Sequence, residues 1–374
     1  MSVRPEVRRA VSLPAQLALF EVFDPKSTNM VALYDLAPRF VFDGRDGEAK
    51  KKLIEREFSF SGKRYRITLK PTTLRTDSGD VVDRYLGERE QIVEEVIRRL
   101  AGNQNRVTLH GENKVRFPFT VYEVKEELRR VKHSYNRDEI REAITLLNEV
   151  RMKIELLDDR RQPLLSASAF PVMGMRKGEA DDSETFVEFN PLVAEAIRML
   201  SFQQVSYELL MEIRDPVARW LMKRLHIQIG ATGEQIHQMT ATEIRRDSGM
   251  SEWKTTRNLL RRVGQAVELL QNKGILDDIE LSEQKTGKRK DDILFTMIAS
   301  AGFMAEARTC RQRVADNIME FKRITNGRDP ARDFVPLASG DVYRLRDRVR
   351  RKICQDPAVP TPAPCQAERL ERLT

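Results

Sequence analysis

One order of elements occurs twice in this sequence, and it limits the available folds more than any other feature. In the second copy, "DPVARWLMKRLHIQI" (215–229) predicts a helix with Asp215 as N-cap and Pro216 at its first position. "TATEIRRDSGM" (240–250) predicts a short helix closed by Gly249. "SEWKTTRNLLRRVGQAVELLQNKG" (251–274) predicts a long helix, capped by Ser251 and ended by Gly274. "ILDDIELSEQKTGKRKDDILFTMI" (275–298) reads as two strands about a basic turn. The first copy runs in the same order. A helix over 80–102 carries Ile92, Val93, Val96, Ile97 and Leu100 on one stripe. "KVRFPFTVYEVKEELRR" starts extended and becomes helical near Val121. "VKHSYN" makes a tight turn into the longer helix "HSYNRDEIREAITLLNEVR". Strands follow in "KIELLDD", "PLLSASAFPVMGM" and "ETFVEFNP".

A helix-turn-helix backed by a β hairpin is a winged helix. The expected fold is therefore α+β and mainly helical, with two tandem winged-helix domains. Residues 1–50 read as a flexible N-terminal arm and 51–205 as the first domain, which opens with a hairpin in "REFSFSGKRYRITLKP" (56–71). Residues 206–298 are expected to form the second domain. Residues 299–374 form a basic helical extension, with helices over 303–325 and 341–353 and a Pro-rich end expected to be disordered.

The net charge of +8 points to a polyanionic partner, most simply nucleic acid. No run of eighteen apolar residues exists, so no membrane span is expected. Arg4, Arg8 and Arg9 precede no apolar core of a secretory signal. Cys310, Cys354 and Cys365 form no C-x-x-C and fit a reducing bacterial cytoplasm, with no metal site and no cofactor. Enzymatic chemistry finds little support. "KTGKRK" lacks the first Gly and the Ser/Thr of a phosphate loop. His110, His133, His226 and His237 are scattered, with no H-x-H for a nicking metal centre. "SEWK" and "KTG" mimic fragments of penicillin-recognising serine enzymes without the S-D-N element.

On a helical wheel of 251–274, Thr256, Leu259, Leu260, Val263, Ala266, Val267 and Leu270 share the core face. Lys254, Arg257, Asn258, Arg261 and Gln265 share the opposite face. Arg forks onto guanine, Asn and Gln pair with adenine, and Lys neutralises phosphate. An ordinary solvated face would mix Glu with Lys. The matching helix of the first copy instead shows Asp138, Arg141, Glu142, Thr145 and Glu149, a poor base reader. Its basic approach, "RRVKHSYNR", suits phosphate near a helix N-terminus.

Three stretches resemble the plasmid replication initiators of the TrfA type, within the wider group of iteron-binding Rep proteins. They are "VRFPFTVYEVKEELRRVKHSYNRDEIREAITLLNEVRMKIE" (115–155), "SYELLMEIRDPVARWLMKRL" (206–225) and "SGMSEWKTTRNLLRRVGQAVELLQNKGILDD" (248–278). The resemblance spans about residues 55–298 and implies binding to direct repeats, the iterons, at a plasmid origin. It further implies opening of adjacent A+T-rich DNA, recruitment of DnaA, the replicative helicase and the polymerase clamp, and a monomer–homodimer equilibrium that limits copy number. It implies base and phosphate contact by Lys254, Arg257, Asn258 and Arg261. Wing contacts would come from Lys285, Lys288, Arg289 and Lys290, and first-domain contacts from Lys132 and Arg137. The alternative reading is a winged-helix transcriptional regulator or repressor.

The peptide "QLALF" (Gln16, Leu17, Leu19 and Phe20 at the fixed positions) fits the Gln-Leu-x-Leu-Phe pattern of peptides that dock on the bacterial sliding clamp. The TrfA-type initiators carry a similar motif ahead of their winged helices. Gln16 would hydrogen-bond at the rim while the three apolar side chains fill subsites. The competing reading is a strand that tucks onto the first domain.

Overall fold

The computed structural model describes residues 27–42, 53–75, 79–103, 108–109, 114–157, 162–175, 184–199, 201–251, 253, 255–286 and 289–324. The "QLALF" peptide, Lys254, Lys288, the expected helix over 341–353 and the Pro-rich end lie outside the described residues.

The first described segment corrects the expectation of a flexible arm over 1–50. Residues 27–42 form β1 (Ser27–Met30) and α1 (Ala32–Leu36) and are largely buried. The first repeat unit follows. In β2 (Ile54–Phe60) and β3 (Lys63–Lys70) alternate side chains are buried. Ser61 and Gly62, both at positive φ, make the two-residue turn that suits strand twist. β4 (Thr72–Arg75) and β5 (Val81–Arg84) form a second hairpin, in which the β-branched pair Val81–Val82 favours strand over helix. The helix expected from residue 80 therefore begins only at Glu88, as α2 (Glu88–Asn103).

Strands β6 (Thr108–Leu109) and β7 (Val115–Thr120) lead into α3 (Val121–Arg130). At that corner the Thr120 hydroxyl accepts from the Glu123 amide, and the Glu123 carboxylate accepts from the Thr120 amide, a capping box. Helix α4 (Arg137–Glu149) starts from the same device, built by Asn136 and Glu139. β8 (Arg151–Leu156) and β9 (Gln162–Ser168) join the first hairpin in a sheet of order β2-β3-β8-β9. β10 (Val172–Met175) and β11 (Glu184–Glu188) pair onto β7 in a sheet of order β10-β11-β7-β6. Helix α5 (Pro191–Met199) closes the unit.

β12 (Gln203–Ser206) and α6 (Tyr207–Glu212) open the second unit. In α7 (Pro216–Thr232) the Asp215 side chain accepts from the Ala218 amide at 2.8 Å, and Gly233 closes the helix at φ 74°. β13 (Ile236–Thr240) turns into α8 (Ala241–Ser248) through a Thr240–Glu243 capping box, and Gly249 ends it at φ 75°. Helix α9 (Thr256–Asn272) and the long hairpin β14 (Leu276–Thr286) and β15 (Arg289–Ala299) follow, in a sheet of order β13-β15-β14. Helix α10 (Ala301–Ile324) ends the described chain. The helix–strand–helix–helix–strands order thus recurs, down to a Thr-x-x-Glu box at each strand-to-helix corner. The fold is mixed α and β rather than mainly helical, because each unit adds paired strands that short alternating segments conceal in the sequence.

Residues 27–42 run between the units. β1 pairs antiparallel with β12. Met30 and Leu36 enter the second hydrophobic core, while Val31, Tyr34, Ala37, Phe40 and Val41 enter the first. A polar network fixes this strap to α2 and α7. The Asp35 carboxylate accepts from Arg98 at 2.6 and 3.0 Å, from Lys223 at 3.3 Å and from the Val31 amide at 2.6 Å. Glu94 accepts from the Tyr34 hydroxyl at 2.7 Å and from Arg39 at 2.9 Å, and Glu95 pairs with Lys223. The Trp220 indole donates to the Leu36 carbonyl at 3.0 Å. Burial alone would push the Asp35 carboxyl upward. The charges of Arg98, Lys223 and Arg39 overcome that and hold it well below the usual carboxylate range.

Helix α10 ties the units from the other direction. Phe303, Met304 and Ala307 sit in the second core, and Val314 and Ile318 pack against the first.

Candidate nucleic-acid interface

Helix α9 owes its place to its apolar stripe: Leu259, Leu260, Val263, Ala266, Val267 and Leu270 are buried. Its start differs from the sequence expectation. The Thr255 hydroxyl, not Ser251, caps it by accepting from the Asn258 amide, so the helix begins at Thr256. Thr256, expected on the core face, is half-buried at the first turn. Arg262 flanks the core stripe and pairs with Asp215 at 2.6 Å, tying α9 to the N-terminus of α7. Lys273 at the other end pairs with Glu212 at 3.1 Å.

The opposite face is open. Arg257, Arg261 and Gln265 are exposed and Asn258 is half-exposed. Among the described residues these four side chains make no hydrogen bond or ion pair. Helix surfaces that serve only solubility usually engage such groups with neighbouring carboxylates. No acidic residue lies in the first turn, so the helix N-terminus keeps its positive end uncompensated. The exposed Glu268 stands one turn beyond Gln265 and ends the stripe.

The wing is basic only at its tip. Lys285 is exposed and pairs with Glu283 at 2.9 Å. Arg289 and Lys290 open β15 opposite Thr286 and Lys285. Lower on β14, Asp277, Asp278 and Glu280 are exposed.

The first unit is occupied differently. On α4, Glu142 accepts from Arg89 at 3.0 Å and Glu149 from the Thr72 hydroxyl at 2.7 Å, so the face that lacks base-reading residues is tied to its own unit. Lys132 is exposed at φ 61° in the turn between α3 and α4, a backbone conformation that a lysine rarely adopts. Arg137 is half-buried and already engaged within the fold. Of the two residues expected here, Lys132 is the more exposed.

Trp253 stands two residues before the cap of α9. It is 37% exposed in the link between α8 and α9, and its indole N–H donates to the Met250 sulfur at 3.2 Å.

Among the described residues no group of His, Cys, Asp or Glu could hold a metal ion, and no helix is long and apolar enough to cross a membrane.

No family model matches the chain, and no curated protein matches it. Among solved structures, it is similar to a selenomethionine derivative of domains 2 and 3 of RctB. The identity is 12% and the TM-score 0.46, over 75% of this chain and 99% of that one. A second structure of RctB domains 2–3 is similar at 10% identity and a TM-score of 0.40, over 74% and 99% of the two chains. The Pi initiator protein in complex with iteron DNA is similar at 11% identity and a TM-score of 0.38, over 57% and 94%.

Proposed function

We propose that the chain is a replication initiator that binds repeated sites in duplex DNA at an origin, acting by binding rather than catalysis. Both units are taken as winged helices, with α9 lying in the major groove and the β14–β15 tip on the phosphate backbone. The observation that carries this reading is the face of Arg257, Asn258, Arg261 and Gln265, open to solvent and without partners among the described residues. The resemblance of 115–155, 206–225 and 248–278 to TrfA-type initiators favours an origin over a promoter as the target. Clamp recruitment through Gln16, Leu17, Leu19 and Phe20, and contact with DnaA and the helicase, belong to the same proposal.

The test is footprinting on the DNA beside the gene, with strand opening probed in the same lanes. Direct repeats protected next to an opened A+T-rich tract are expected. Protection of a single inverted repeat over a promoter points to a repressor. In gel-shift titrations, Arg257→Ala and Arg261→Ala should each weaken binding to the protected repeat by about 1–3 kcal/mol while leaving unrelated duplex nearly unaffected. Unchanged affinity and preference in both variants would remove α9 from the groove. Replacing Lys285 and Lys290 together should instead flatten the salt dependence of log K by roughly 0.9 for each phosphate that is no longer neutralised. An unaltered slope would take the wing off the backbone.

A further inference from the structure

The edge of the first sheet ends on the helix that precedes α9. β2 lies outermost in the order β2-β3-β8-β9, so alternate residues turn their amide and carbonyl groups away from the sheet. At Ser59 the second unit takes these groups and the side chain as well. The Ser59 amide donates to Asp247 Oδ1 of α8 at 3.0 Å, and its carbonyl accepts from Arg224 of α7 at 3.0 Å. The hydroxyl oxygen accepts from Arg246 of α8 at 3.2 Å.

Asp247 is the centre of this contact. It is only 2% exposed and also accepts from Arg246 at 2.7 and 3.2 Å. Burial pushes the Arg224 guanidinium down, Asp247 opposes that, and the Arg246 charge adds to it. Two residues on, Gly249 closes α8 against Pro38 of the strap and Arg56 of β2. The C-terminal end of α8 is thus held by residues outside its own unit, and α9 starts just beyond, at Thr256.

Two kinds of duplex contact ask different things of this geometry. Forked contacts from Arg or Asn to base edges need two hydrogen bonds aligned at once, whereas attraction to phosphates tolerates displacement. A shift of α8 therefore erodes sequence reading by α9 and leaves general affinity for duplex in place. We propose that Asp247 is a positioning residue for duplex recognition: by holding α8 on Ser59 of the first unit, it sets the direction from which α9 meets the groove. The inference rests on the proposed reading of DNA by α9. It makes the first unit part of the reading apparatus without any contact between that unit and a base.

The test compares gel-shift affinities for the footprinted repeat and for unrelated duplex, at a temperature where circular dichroism shows each variant folded. Asp247→Asn keeps the side-chain shape and removes the anion that Arg224 and Arg246 share. Ser59→Pro alters the first unit alone and changes no charge, and proline is tolerated on an edge strand whose amide points outward. Each variant should bind the repeat about tenfold more weakly, a usual size for coupling between sites, with unrelated duplex nearly unaffected. Because coupling is reciprocal, the bound repeat should slow hydrogen exchange at the Ser59 amide of the unmodified chain by a similar factor, and unrelated duplex should not. That measurement decides if a variant fails to fold. A preference for the repeat kept by either folded variant, with only its unfolding midpoint lowered, overturns the proposal and reduces the contact to a structural tie. Ser59 exchange that the repeat leaves unchanged overturns it as well. An unmodified chain with no preference for any repeat instead removes DNA reading by α9 itself, and this inference with it.

Discussion

Replacing Asp35 by Asn should lower the stability of the whole chain by about 3–5 kcal/mol, the usual cost of leaving buried charge uncompensated. The substitution keeps the shape of the side chain and an acceptor for the Val31 amide. It removes the anion shared by Arg98, Lys223 and Arg39. Those cations come from three places: the strap itself, α2 of the first unit and α7 of the second. Urea unfolding at neutral pH, followed by circular dichroism, reads the loss. The pH dependence tests the same charge from another side. A carboxyl held below its unfolded value contributes stability that is present above about pH 4 and fades as pH falls through the folded value. The gap between wild type and Asp35→Asn should therefore narrow in acid. If residues 27–42 were a detached arm, the two proteins would unfold together at every pH.

The second large effect is expected at Gly249. Its φ of 75° lies in the left-handed region, and a Cβ built there would stand 2.6 Å from both Pro38 Cβ and Arg56 Nη1. Arg56 cannot yield cheaply, because the same nitrogen donates to the carbonyls of Pro38 and Phe40 at 3.0 and 2.7 Å. Gly249→Ala should thus combine about 1–2 kcal/mol of backbone strain with roughly 1–3 kcal/mol of overpacking. Gly233→Ala is the control. Gly233 ends α7 at φ 74° with nothing within 4 Å of the added methyl, so it should cost only the backbone part. The difference between the two variants, measured by denaturant titration, is the cost of pressing α8 away from the strap and β2. Equal losses would mean that the close approach of Gly249 to Pro38 and Arg56 contributes nothing.

The second unit is legible in the sequence because its signals are local. Asp215 with Pro216, the Thr240–Glu243 box, Gly249 and the apolar stripe of α9 all act within a few residues of one another. The misplaced cap of α9 shows the limit of that reading: Ser251 and Thr255 are both competent caps, and sequence cannot say which one the turn from α8 presents. The strap is illegible for a different reason. In "VALYDLAPRFVF" the charges of Asp35 and Arg39 break any apolar pattern, and their neutralising partners lie far along the chain, at Glu94, Arg98 and Lys223. No window of local sequence contains that information. The open face of α9 follows from residue type, whereas its lack of internal partners, and the engagement of Arg137, are properties only of the folded chain.

The sharing of the strap and α10 between the two cores has a thermodynamic consequence. Neither unit can lose its structure while the other stays intact, since melting the second strips Leu36 and Met30 from their neighbours and frees Ile318 and Val314 from the first. The two repeats should behave as a single cooperative unit. In calorimetry the chain should give one heat-absorption peak whose measured enthalpy equals its van't Hoff enthalpy, although its element order suggests two independent beads on a string.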